Sequence, residues 1–163
     1  LARACALPFI DADQVVEERL GCSIAMFFEH AGEAAFRDVE AQVIDELTRS
    51  PAAGVLATGG GAVLRAHNRR CLRERTRVYY LQNSPEEIAA RLRQRPSARP
   101  LLQGQEPLQR LQELLRQREA LYLQTAHQVV PVCGLALSQA VQRVHKHIGS
   151  IPAGEQGQAA VAS

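Results

Sequence analysis

The spacing of apolar residues changes several times along the chain. Leu7-Pro8-Phe9-Ile10-Asp11 is a short apolar run that predicts a strand, with Pro8 at its start, where a missing N–H is tolerated. Residues 1–6 read as the end of a helix. Asp13 is expected to cap a helix running to Leu20, closed by Gly21. Ser23 then caps a short helix from Ile24 to about His30. Gly32 opens a longer one to about Arg49, where Phe36, Val39, Val43, Ile44 and Leu47 recur at helical spacing. Gly54–Thr58 is a short apolar run ending in three glycines, the pattern of a buried strand and a tight loop.

Residues 66–75 read as a helix and Arg77–Leu81 as a third strand. Ser84-Pro85-Glu86-Glu87 has a cap, a proline at the first helical position and acids in the first turn, so it starts another helix. The stretch 95–106 carries Pro96, Pro100 and Gly104 and is expected to be a mobile loop. Two helical stretches follow, about 107–118 and 119–125. His127–Val130 is a fourth strand, and Ser138 caps a last helix to about Ile148. Residues 149–163 are small and polar and are expected to form a disordered tail behind one domain, 1–148. Strands alternating with helices predict an α/β/α sandwich on a mainly parallel sheet. Ligands in such sheets sit beyond the carboxyl ends of the strands, which here are Asp11-Ala12-Asp13 and Thr58-Gly59-Gly60-Gly61.

Composition narrows the partners. The 163 residues carry a formal net charge of +2 and only 4% aromatics, so nothing favours a nucleic-acid or membrane surface. No stretch approaches a membrane span, and the N-terminus lacks the pattern of a secretory signal. The four cysteines form no C-x-x-C pair and read as reduced thiols of a cytosolic protein. Lys146 is the only lysine.

Five small motifs could carry chemistry, and each has a plainer alternative. Asp11 and Asp13 could accept a hydroxyl proton and hold a hydrated Mg²⁺, or Asp13 could be only a cap. Arg37 and Glu40 share a helix face, so Glu40 could orient a guanidinium that clamps a carboxylate, or the two could be a solvated pair. Gly59, Gly60 and Gly61 admit close backbone approach to a ligand, or make a simple turn. Arg99, in the loop, could close over a transferring phosphate, and Arg118 could be a second carboxylate clamp. Both could equally be surface arginines.

Taken in order, FIDAD, FRDVE, VLATGGGAVLR, RPLL and RQREALY resemble the shikimate kinase family over residues 1–148. The resemblance implies a P-loop kinase sandwich that transfers the γ-phosphoryl group of ATP to the 3-hydroxyl of shikimate, in aromatic amino-acid biosynthesis. It implies a monomeric, cytoplasmic enzyme that uses Mg²⁺ with ATP. By motif, Asp13 would bind the reacting hydroxyl as the base, and Asp11 would hold the Mg²⁺ water shell. Arg37 and Arg118 would clamp the shikimate carboxylate, with Glu40 orienting Arg37. The three glycines would line the pocket, and Arg99, on a lid over 95–106, would reach the ATP phosphates. Arg91 or Arg93 would pack on adenine.

The departures from the family are specific. No G-x-x-x-x-G-K-S/T occurs in the chain. The first, central strand is therefore expected to be missing, with about 15–25 further residues upstream of Leu1, and residues 1–163 are expected to be inactive by themselves. After the fourth strand, Pro131-Val132-Cys133-Gly134-Leu135 replaces the family's polar adenine loop. The alternatives are a non-catalytic shikimate-binding remnant and a gluconate-type small-molecule kinase.

Overall fold

The computed structural model describes residues 1–93, 107–149 and 159–162. A short helix, α1 (Ala2–Cys5), leads into β1 (Phe9–Asp11), α2 (Ala12–Leu20), α3 (Ile24–Arg49) and β2 (Val55–Thr58). A 3₁₀ turn (Ala62–Leu64) follows, then α4 (Ala66–Arg75), β3 (Arg77–Gln82) and α5 (Pro85–Arg93). The described chain ends with α6 (Pro107–Thr125), β4 (Gln128–Pro131), α7 (Leu137–Gly149) and β5 (Ala159–Ala162). All five strands are parallel, in the order β1-β2-β5-β3-β4.

Side chains of a strand alternate between the faces of its sheet, so neighbours can serve two cores. In β3, Val78 packs with Leu56, Ile44, Cys71 and Leu72 beneath α3 and α4. The next residue, Tyr79, packs with Val130, Val132 and Val144 beneath α7. Two helical layers therefore enclose the sheet. A third cluster, Val16, Phe36 and Val43, fixes α2 against α3 and with it the helix that carries Arg37.

Local chemistry sets the element ends. Gly32 interrupts α3 with φ 79 and ψ 170, so the expected division into a short and a long helix is present as a kink. Ser23 Oγ accepts from the Met26 N–H at 3.3 Å and Ser84 Oγ from the Glu87 N–H at 3.2 Å, as their sequence positions predict. Asp45 on α3 meets Arg49 and Arg75 and ties α3 to α4. The Arg75 hydrogen bond holds its carboxyl below the usual carboxylate range.

Three expectations change. Asp11, not Asp13, caps α2: its Oδ1 accepts from the Asp13 N–H at 3.0 Å. The two helical stretches after residue 107 are one helix, α6, because the polar residues near 118 contain no breaker. The expected disordered tail contains β5, which lies between β2 and β3, the central position expected to lack a strand. Two parallel strands facing a gap would each leave a row of unpaired N–H and C=O groups. Ala159–Ala162 pairs with both, Leu56 and Val78 each facing Ala160.

His127 joins β3 to the start of β4 by a reciprocal pair. Its N–H donates to Val78 O at 2.9 Å, and its Nδ1 accepts from the Val78 N–H at 3.0 Å. An accepting Nδ1 requires the neutral ring. Burial, then Arg73 and Arg77, depress its pKa below the ordinary 6.5. The unfolded chain thus binds more protons than the native one just below that value, so this contribution is complete above pH 6.5 and is lost as pH falls through the folded pKa. His127→Ala should lower the melting temperature at neutral pH and flatten its decline on acidification. Parallel pH–melting curves would refute this role for the ring.

Candidate functional site

Asp13, the glycine loop, Arg37 and Arg118 come near one another beyond the carboxyl ends of β1 and β2, from four elements. Because Asp11 takes the capping role, Asp13 stands in the first turn of α2 with its carboxylate against the glycine loop. A Cβ on Gly59 would lie 2.9 Å from Asp13 Oδ1 and 3.1 Å from Oδ2. Only a glycine admits that carboxylate so close to the backbone.

Arg37 enters from α3 and is 8% exposed in its side chain. Its Nη1 donates to both carboxylate oxygens of Glu40, at 3.0 and 2.8 Å, and Glu40 is 3% exposed. Nε and Nη2 donate to Oε1 of Glu33 at 3.2 and 3.0 Å. Burial pulls the guanidinium pKa down, but Glu40 and then Glu33 more than reverse this, so Arg37 stays charged. Burial pushes Glu40 up; Arg37 and the more distant Arg118 draw it back, while Asp13 adds to the rise. Asp13, Arg37, Glu40 and Arg118 therefore share one electrostatic neighbourhood. Arg118, half-buried on α6, has a buried Nε with no hydrogen-bond partner among the described residues. A buried donor left so can take a further acceptor.

Gly61 supports the same guanidinium. Its Cβ would fall 2.3 Å from Arg37 Nη1 and 2.4 Å from Nη2. Its backbone, at φ −86 and ψ −12, suits any residue, so the need for glycine is one of space. Gly61→Ala should weaken binding of the acceptor anion at least tenfold, since moving the guanidinium breaks its buried pair with Glu40, and about 1 Å of misplacement can matter a hundredfold. Gly54→Ala is the control, because that Cβ would meet Pro8 O at an ordinary 3.5 Å. Equal affinities for both variants would remove the glycine loop from the site.

Several supporting residues were not singled out by sequence reasoning. Tyr122 Oη donates to Gly60 O at 2.7 Å, and its ring stacks on Tyr80 at 5.0 Å. Burial, then Glu119 and Tyr122, push the Tyr80 phenol to about 12, so it stays protonated. Asn68 Nδ2 donates to Ala62 O at 3.0 Å, and Arg69 Nη1 to Val63 O at 2.7 Å, which fixes the 3₁₀ turn behind the glycines. Glu33, four before Arg37, is at the spacing that marks that pair, and Tyr122 falls on the same face of α6 as Arg118, four earlier.

The residues expected to face ATP are described only in part. Arg99 lies outside the described residues, as does the expected lid. Arg91 is exposed on α5 and 3.7 Å from Glu87, with Arg93 in the same last turn. Glu87 Oε1 also accepts from the Gly134 N–H at 2.6 Å, so the loop after β4 is fastened to α5. Lys146 sits in the last turn of α7.

The parallel α/β sandwich thus brings an aspartate beyond β1 and a buried, charged arginine of α3 together beside one glycine loop. The family model for shikimate kinase matches residues 1–149. A shikimate kinase of Paracidovorax citrulli is 52% identical over 146 residues, 88% of this chain and 79% of that protein. One from Ralstonia nicotianae is 46% identical over 144 residues, covering 88% and 75%. The solved structure of the Acinetobacter baumannii shikimate kinase in complex with shikimate superposes with a TM-score of 0.85 at 38% identity, covering 91% of this chain and 82% of that one. The chain belongs to the shikimate kinase family.

Proposed function

We propose that these residues form the acceptor side of an enzyme that transfers the γ-phosphoryl group of ATP to the 3-hydroxyl of shikimate. The observation that carries this reading is the buried Arg37, oriented by Glu40 and seated against Gly61, beside the Asp13 carboxylate on Gly59. Arg37 and Arg118 hold the shikimate carboxylate and so fix the ring. Asp13 accepts the hydroxyl proton as its oxygen bonds to the γ-phosphorus, and the bond to the ADP oxygen breaks. Little covalent chemistry falls to the protein, so rate comes from positioning and from offsetting charge. Arg99 is assigned to the phosphates, and Arg91 or Arg93 to adenine.

The donor set at β1 suits Mg²⁺ in part. Magnesium keeps several waters and takes one or two carboxylates besides substrate phosphates. One Asp11 oxygen caps α2, and the other can accept from a metal-bound water. The ion, when bound, neutralises charge on the phosphates. All four cysteines are free thiols, which supports a reducing, cytosolic setting, and no described helix is long and apolar enough to cross a membrane. The reading carries a monomeric state with it.

The test is calorimetric titration with shikimate and with gluconate, combined with shikimate-dependent release of ADP. Saturable shikimate binding with turnover supports the proposal. Binding without turnover in the full-length protein identifies a shikimate-binding remnant instead, and a preference for gluconate points to the other small-molecule kinase.

A further inference from the structure

The Arg37 guanidinium donates four hydrogen bonds to two acids, and its Nε–Nη2 edge is occupied. Its Nη1 is taken by Glu40, and its Nε and Nη2 both reach one oxygen of Glu33. The Nε–Nη2 edge is one of the forks with which an arginine grips a carboxylate in two parallel bonds. The two acids differ sharply in their surroundings. Glu40 is 3% exposed and fixed in the middle of a helix, whereas Glu33 is 51% exposed and directly follows the break at Gly32.

We propose that Glu33 is a built-in competitor for the acceptor carboxylate, occupying the Arg37 fork until shikimate displaces it. The proposal rests on the reading of Arg37 as the shikimate clamp. A guanidinium 8% exposed would otherwise carry a desolvated, unpaired edge, and Glu33 removes that penalty. Displacement exchanges one carboxylate for another at the same fork, and Glu33, being exposed, regains water as it leaves. An acceptor without a carboxylate has nothing to offer in exchange, so the competitor sharpens selection for an anionic acceptor at the expense of affinity.

Four versions of the full-length protein decide this: wild type, Glu33→Gln, Glu33→Asp and Arg37→Ala. Shikimate affinity is read by calorimetry, and KM and kcat by ADP release. Glu33→Gln removes the charge, while Glu33→Asp keeps it on a stem one methylene shorter that cannot span to the fork. Both should bind shikimate roughly two- to tenfold more tightly, the range set by losing a partly exposed ion pair, with the gain falling on KM rather than kcat. Tightening in Glu33→Gln alone would show that only distant charge matters and would overturn the proposal. Weaker binding in either variant would make Glu33 a support for Arg37 in the complex, which also overturns it. If Arg37→Ala binds shikimate like wild type, the clamp reading itself fails. If Arg37→Ala loses affinity while both Glu33 variants match wild type, the clamp stands and the competitor does not.

Discussion

Arg37→Ala should cost about 2–4 kcal/mol of shikimate affinity, a loss on the order of 30- to 1000-fold. The magnitude follows from where the guanidinium sits. Its side chain is 8% exposed, so a carboxylate bound there has given up water and depends on the arginine to replace it. The substitution also removes the partner of Glu40, which is 3% exposed, and an uncompensated buried carboxylate is strongly destabilising. A fall in affinity could therefore come from a loosened α3 rather than a lost clamp. The double variant Arg37→Ala/Glu40→Gln separates the two. It should recover much of the melting temperature, because no charge is left buried alone, yet remain as weak in shikimate binding as the single variant. Calorimetry and thermal melts on the three proteins check this. Recovery of binding in the double variant would show that Arg37 serves the fold and not the ligand.

Much of this arrangement was legible before any coordinates. The short apolar runs gave four strands in place, and Gly32 marked a real break in α3. FRDVE placed Arg37 and Glu40 on one helix face, because residues three apart are neighbours on a helix. What could not be read is what depends on distant chain. FIDAD offers two aspartates that are equally good caps by composition, and only the packing of α2 over β1 decides that Asp11 takes the N–H of Asp13. The strand at Ala159–Ala162 has weak local signals, with small residues behind a Gly- and Pro-containing stretch. Its parallel pairing with β2 and β3 is a tertiary contact that local propensity does not announce. The close approach of Arg37 to Gly61 was likewise invisible, since a glycine triplet looks the same whether it makes a turn or a seat.

Asp13→Asn should lower kcat by roughly 10²- to 10⁴-fold while changing shikimate affinity far less, read by ADP release and by calorimetry. Asparagine matches aspartate in shape and can still hydrogen-bond the acceptor hydroxyl, but it cannot take that proton as the oxygen attacks phosphorus. The fold should tolerate the change, because the cap of α2 belongs to Asp11. The Asp13 carboxylate lies where a Cβ on Gly59 would meet its Oδ1 at 2.9 Å, and an amide has the same volume as that carboxylate. Asp11→Ala should behave in the opposite way where stability is concerned. It removes the acceptor for the Asp13 N–H and should cost about 0.5–2 kcal/mol of stability as a lost cap. The pair of variants thus assigns two neighbouring aspartates to separate tasks, one to the reacting hydroxyl and one to the helix start. A kcat within about tenfold of wild type for Asp13→Asn would place the proton elsewhere, on water or on the phosphate itself, and reduce Asp13 to a group that orients the hydroxyl.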